Sequence, residues 1–286
     1  MSTPRELTLD PAVRCRTADT ARGTFAALVC EPSSSGLAKG SALLIPGFTG
    51  SKEDFAALLP LLAAVGWAVA TYDQRGQYES AGRADDDYTL AGYAADASAV
   101  TDTLLGTSEQ VHIVGHSFGG LVAATAVVAQ PARWASLTVM CSGPGGLPAG
   151  ASREEALAAA DAIPRDGLEA CYRTKLARDA AHGRPEPAPD IAAFLRRRFL
   201  TNTPASLAAI ARLLADAPDR TADLACLDVP IRVLRGADDD AWPHAVQDAF
   251  ATAVGTRVEV IAGAAHSPAV EQPEATRDAL VRGWLS

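Results

Sequence analysis

Val111-His112-Ile113-Val114-Gly115-His116-Ser117-Phe118-Gly119-Gly120-Leu121-Val122-Ala123-Ala124 is the stretch on which the reading of the fold turns. Its first four residues are mostly apolar and β-branched, as in a short buried strand, and its last are an apolar, alanine-rich run of helical character. Between them stands Gly-x-Ser-x-Gly. Glycines two residues before and two after the serine permit a tight strand-to-helix turn that raises the hydroxyl above the carboxyl edge of a sheet. The pattern alone is weak, since with glycine and serine near 7% of average usage chance produces it in roughly one chain in ten of this length. The flanking strand and helix make it specific, and Ser117 is read as a nucleophile.

Outward from that turn, short β-branched or apolar runs recur at residues 25–30, 42–45, 68–72, 111–114, 137–140, 231–234 and 258–261. Helix-length amphipathic segments at 53–65, 90–105 and 265–285 separate several of them. Alternating strand and helix predicts an α/β fold, a parallel sheet with helices on both faces, and near-continuous apolar strands fit a sheet covered on both sides. The alternation stops between about 148 and 228, where Ala, Leu, Glu and Arg dominate. Ser152 and Glu155 have capping-box spacing, 190–200 and 205–215 read as helices, and 183–189 is a Gly/Pro breaker. The expected organisation is a core of residues 1–147 and 228–286 with a helical cap inserted at 148–227. Arg196-Arg197-Arg198 is read as a solvated helix face. The alanine-rich cap helices would suit a homodimer interface.

Composition narrows the function. With 286 residues, 48% hydrophobic and 21% charged, the chain can bury a substantial core. A net charge of −9 disfavours nucleic acid and anionic membrane surfaces as partners and leaves a small-molecule substrate. Residues 1–10 lack the apolar core of a signal peptide, and the longest apolar stretch, 58–70, is broken by Pro60 and Gly66 and too short to cross a bilayer. A cytoplasmic protein is expected. Five cysteines without CxxC spacing predict buried thiols rather than disulfides or zinc. No metal and no cofactor is expected, because no His/Asp/Glu group has ligand spacing such as HExxH.

A serine hydroxyl needs a base, and the base needs an acid to orient it. Of five histidines, only His266 follows the last predicted strand, in a loop returning to the sheet's carboxyl edge. His112 reads as core, His116 as a structural neighbour facing away from the hydroxyl, and His182 as a cap residue. The acid should follow strand 231–234, where Asp238, Asp239 and Asp240 are consecutive and equally placed. One oxyanion donor would be the backbone N–H of Phe118, directly after the nucleophile.

These motifs, in this order, resemble the α/β-hydrolase family across nearly the whole chain outside the cap. Gly236-Ala-Asp238-Asp239-Asp240-Ala-Trp242-Pro243 is similar to the family's G-x-x-D-x-x-x-P segment, a register that implies Asp239 as the acid. Pro46-Gly47-Phe48 resembles its HGF loop and implies the Phe48 N–H as second oxyanion donor, with Pro46 where histidine is usual. Asp73-Gln74-Arg75-Gly76-Gln77-Tyr78-Glu79-Ser80 is like its D-x-R-G-x-G-x-S turn, with Tyr78 replacing the second glycine and Asp73 and Arg75 as structural residues. The resemblance implies an eight-stranded, mostly parallel sheet and an esterase-like Ser117–Asp239–His266 triad. A pocket between core and cap would include Phe48, Phe118, Cys141 and Trp242. It leaves open thioesterase, lactonase, amidase, carbon–carbon bond hydrolase and cofactor-free peroxidase chemistry, and a non-catalytic binder of small molecules. Haloalkane dehalogenation and epoxide hydrolysis are disfavoured, because those relatives carry aspartate at the position of Ser117.

Overall fold

Residues 2–32, 38–107 and 109–285 are described by the computed structural model of the protein. Eight strands form one sheet: β1 (Arg14–Thr20), β2 (Gly23–Cys30), β3 (Gly40–Ile45), β4 (Trp67–Tyr72), β5 (Val111–His116), β6 (Trp134–Met140), β7 (Ile231–Gly236) and β8 (Val258–Ile261). Their order is β1-β2-β4-β3-β5-β6-β7-β8, with β1–β2 and β2–β4 antiparallel and the other neighbours parallel. β1 is the strand that no apolar run announced. It pairs with β2 from Arg14↔Val29 to Thr20↔Gly23, yet only Ala18 of its seven residues is buried. A charged, solvated edge strand carries little hydrophobic signal.

Burial alternates along the central strands as a two-sided sheet requires. In β3, Leu43 and Ile45 join one apolar cluster and Ala42 and Leu44 the other; Ile113 and Val114 of β5 divide the same way. One face is covered by α1 (Leu58–Ala64) and, at the C-terminal end, the final helix; the other by α2 (Leu90–Leu105) and α3 (Phe118–Ala129). Five helices lie between β6 and β7: α4 (Ala151–Asp166), α5 (Leu168–Ala181), α6 (Pro189–Leu200), α7 (Pro204–Asp216) and α8 (Thr221–Ala225). Beyond β7 come α9 (His244–Ala253), α10 (Pro268–Glu271) and α11 (Pro273–Trp284). The segment expected as one helix over 265–285 is thus divided, because the Pro273 ring cannot continue α10 and instead starts α11.

Two expectations for the inserted block need correction. Ser152 does not cap α4, which starts at Ala151 behind Gly150 at φ 145°, a conformation suited to glycine. Nor does the arginine run form a uniformly solvated face. Ile191, Phe194, Leu195 and Arg198 share one stripe of α6 at helical spacing, and Arg198 is fully buried with them. Its guanidinium donates to Asp54 Oδ1 (2.7 Å), Ser51 Oγ (3.3 Å) and the Ser2 carbonyl (2.6 Å), pinning α6 to the segment that follows β3. Three cysteines also depart from the buried-thiol expectation, since Cys15 and Cys226 are exposed and Cys171 is only partly buried. Among the described residues, no helix is long and apolar enough to cross a membrane.

His112 is a half-buried member of β5, hydrogen-bonded through Nδ1 to Ser136 Oγ (2.7 Å) and stacked on the Trp284 ring. Burial pulls its imidazole down to about 4. In the unfolded chain a histidine titrates near 6.5. Between those values the unfolded chain binds a proton that the folded one does not, so this contribution to stability is lost as pH falls from about 6.5 towards 4. At pH 5 the loss is about 2 kcal/mol relative to neutral pH. In His112→Gln, urea unfolding at pH 7 and pH 5 should show a free-energy difference altered by about that amount in the matching direction. An identical difference in both proteins would refute a neutral, half-buried His112.

Candidate active site

The sheet's strand order brings the important loops together. β3 lies between β4 and β5, so the chain leaves β3 on one side of a reversal and returns through β5 on the other, the place where open α/β sheets form crevices. Ile45 pairs with Gly115, His116 with Met140, Met140 with Leu234, and Gly236 with Ile261. The carboxyl ends of β3, β5, β6, β7 and β8 are thereby held in line.

Ser117 joins β5 to α3 at φ 54° and ψ −121°, a backbone conformation that costs a non-glycine residue about 1–3 kcal/mol and has to be enforced by its surroundings. The enforcement is visible. Ser117 N–H donates to the Met140 carbonyl (2.9 Å), and Gly120 N–H donates to the Ser117 carbonyl (2.8 Å). A Cβ on Gly115 would sit 2.1 Å from the Gly119 carbonyl oxygen, and one on Gly119 would sit 2.2 Å from that of Ile45. Both glycines of the motif are therefore required by close backbone packing.

His266 lies in the loop after β8, and its Nδ1 is 2.7 Å from Asp239 Oδ1. With the proton on Nδ1 shared with the carboxylate, Nε2 is left as the proton acceptor. Asp239 is buried and also accepts from the Ala241 N–H (3.2 Å) and Gln247 Nε2 (2.9 Å). Burial works to raise its carboxyl, but the His266, Ala241 and Gln247 bonds prevail and hold it below its ordinary value. Asp238 and Asp240 are exposed, and Asp240 faces Arg184 instead. Gln247, on α9, had no mark in the sequence as a partner of this carboxylate. His116 supports the histidine loop from the other side: its Nε2 meets the His266 carbonyl at 2.5 Å. Burial, with His266 beside it, pushes His116 down to about 3, so it serves as a neutral donor.

The loop after β3 abuts the nucleophile. A Cβ on Gly47 would lie 2.9 Å from Ser117 Cβ, so only glycine permits this approach. Gly50 N–H closes a turn onto the Gly47 carbonyl (3.1 Å), with Thr49 at φ 58°. The Phe48 side chain is partly buried between the core cluster and a cluster of residues from the helices between β6 and β7 that includes Ile163, Tyr172, Phe199 and Leu207. Phe118 is the first residue of α3, so its N–H has no partner within the helix, while its ring packs edge-on against Tyr93 in the core. The pocket residues are placed differently from one another. Trp242 and Asp239 line a cavity of about 220 Å³ with Leu147, Ser152 and His244. Cys141 is fully buried behind the histidine loop, its thiol 3.7 Å from the Ala265 carbonyl, and borders neither this cavity nor a larger one. That larger cavity, about 440 Å³ between 144–148 and 215–219, does not border Ser117, Asp239 or His266.

His116, Cys141 and His266 bring potential metal donors within 4.8 Å of one another. Their chemistry does not favour an ion there. His116 and His266 are engaged with the His266 carbonyl and Asp239, and burial pushes the Cys141 thiol well up, whereas a metal requires thiolate.

Residues 42–279 match the alpha/beta hydrolase family. The thermophilic esterase from Thermogutta terrifontis superposes on 95% of this chain and 98% of its own, with a TM-score of 0.74 at 24% identity. The enol-lactonase from Burkholderia xenovorans LB400 superposes on 95% of this chain and all of its own (100%), with a TM-score of 0.77 at 20% identity. A Variovorax paradoxus (strain S110) protein bearing the name carbamate hydrolase RutD is 36% identical over 106 residues, 37% of this chain. That match spans 39% of the relative's length. With the family matched over most of its length, and with the family's sheet and strand–turn–helix elbow in place, the chain belongs to the alpha/beta hydrolase family.

Proposed function

We propose that the protein is a serine hydrolase that cleaves small or medium carboxylic esters through an acyl-enzyme. The observation that carries this reading is the 2.7 Å bond between His266 Nδ1 and the buried Asp239, on the same sheet edge as the strained Ser117. His266 Nε2 takes the proton of Ser117 Oγ as the oxygen attacks the ester carbonyl. Asp239 holds the imidazole in the required tautomer and stabilises the imidazolium that forms. The N–H groups of Phe48 and Phe118 receive the oxyanion, a task for which loss of one donor typically costs about 100- to 1,000-fold in turnover. The imidazolium then protonates the leaving alkoxide. Water, deprotonated by the same base, releases the acid and restores Ser117.

The apolar surroundings of Phe48 and Trp242 favour an acyl group of some hydrophobic character over a highly charged substrate. The inserted helices would act as a cap over it. Two measurements test the reading. A fluorophosphonate probe should label Ser117 covalently, and p-nitrophenyl esters from acetate to decanoate should be turned over faster than thioester, lactone and carbamate counterparts. Absence of labelling would point to a non-catalytic binder and overturn the hydrolase reading. Labelling with inert esters would retain the nucleophile and move the assignment to another carbonyl class.

A further inference from the structure

Two fully buried glutamines lie beneath the loop that follows β3. Gln74 Nε2 donates to the Pro46 carbonyl (2.9 Å) and to Gln77 Oε1 (3.4 Å), and Gln77 Nε2 donates to the Gly47 carbonyl (3.2 Å). Both come from the turn after β4, which is tied back on itself by Gln77 N–H to the Gln74 carbonyl (2.8 Å) and Ser80 N–H to the Gln77 carbonyl (2.9 Å). Lys52 anchors the same turn through Asp73 (2.9 Å) and Glu79 (2.6 Å).

The Gly47 carbonyl and the Phe48 N–H belong to one peptide unit. That unit is planar and trans, so the two groups point in opposite directions, and fixing one fixes the other. A donor on the carbonyl also polarises the unit and strengthens its N–H as a hydrogen-bond donor. Proline at 46 has neither an N–H nor a polar side chain to brace this loop, and beside the Gly50 N–H within it the side-chain donors come from the turn after β4.

We propose that Gln77, seconded by Gln74, is a positioning residue that orients and polarises the Gly47–Phe48 peptide so that its N–H receives the oxyanion. The proposal rests on the acyl-transfer reading above. Gln77 touches no substrate; it acts through the peptide. The Gly50 N–H also binds the Gly47 carbonyl, so removing Gln77 loosens the donor without deleting it.

The test is Gln77→Met, which keeps the volume and withdraws the amide, assayed on the best p-nitrophenyl ester. The kcat should fall roughly 10- to 30-fold, less than the loss of a whole oxyanion donor, with KM within about twofold. Affinity for a trifluoromethyl ketone, which forms a tetrahedral adduct with the nucleophile, should weaken by the same factor as kcat/KM, and Tm should change by no more than a few degrees. Gln77→Asn, whose amide is one methylene short, gives the same comparison if the methionine variant does not fold. An unchanged kcat, or a loss carried by KM and Tm with ketone affinity intact, would overturn the proposal. Fluorophosphonate labelling separates the two readings: no labelling of wild type defeats the acyl-transfer reading itself, while equal labelling rates in wild type and Gln77→Met defeat only the role of Gln77.

Discussion

Ser117→Ala should abolish fluorophosphonate labelling and lower kcat on the preferred ester by roughly 10⁴- to 10⁶-fold. The magnitude follows from the chemistry. Without Oγ no acyl-enzyme forms, and only the oxyanion donors and binding remain to assist direct attack by water. The fold should tolerate the change, because the φ of 54° at this position is enforced by the backbone bonds to Met140 and Gly120 and by the flanking glycines, none of which involves the hydroxyl. Tm should therefore stay within a few degrees of wild type. Alanine retaining more than about a hundredth of wild-type turnover would mean that the nucleophile lies elsewhere.

Asp239→Asn is the second large effect. Asparagine keeps the shape, but its amide would donate to Nδ1 rather than accept from it, so the ring proton would move to Nε2 and the base would lose its acceptor. A fall in kcat of roughly 10³- to 10⁴-fold is expected. The adjacent residues supply the control. Asp238→Asn and Asp240→Asn should stay within about twofold, since both side chains are exposed and only Asp239 reaches His266. Should the Asp240 variant carry the large loss instead, the proposed role of Asp239 fails although the serine reading stands. Stability data separate chemistry from folding here, because Asp239 also accepts from Gln247 and the Ala241 N–H, and asparagine keeps only part of that bonding.

What could be read along the chain was whatever is encoded over short distances. Apolar runs marked seven of the eight strands, and the glycines around Ser117 marked the turn, because a strand's burial and a turn's φ depend on a handful of neighbouring residues. The exception, β1, is a charged edge whose pairing with β2 supplies what its own residues do not.

The amino-acid sequence by itself determined the α/β plan, the elbow at Ser117 and the short list that supplies its proposed partners. Three consecutive aspartates are equivalent in local chemistry, and only the family-like register between Gly236 and Pro243 pointed to Asp239; the return of the β8 loop beside β7 is what buries that one against His266, 27 residues away. Arg198, Gln77 and His116 became informative for the same reason. A guanidinium in an apolar stripe, an amide under a neighbouring loop and an imidazole beneath a distant carbonyl are specified by long-range packing, where burial drives most polar groups to find a partner. Tertiary structure decided which polar side chains those were.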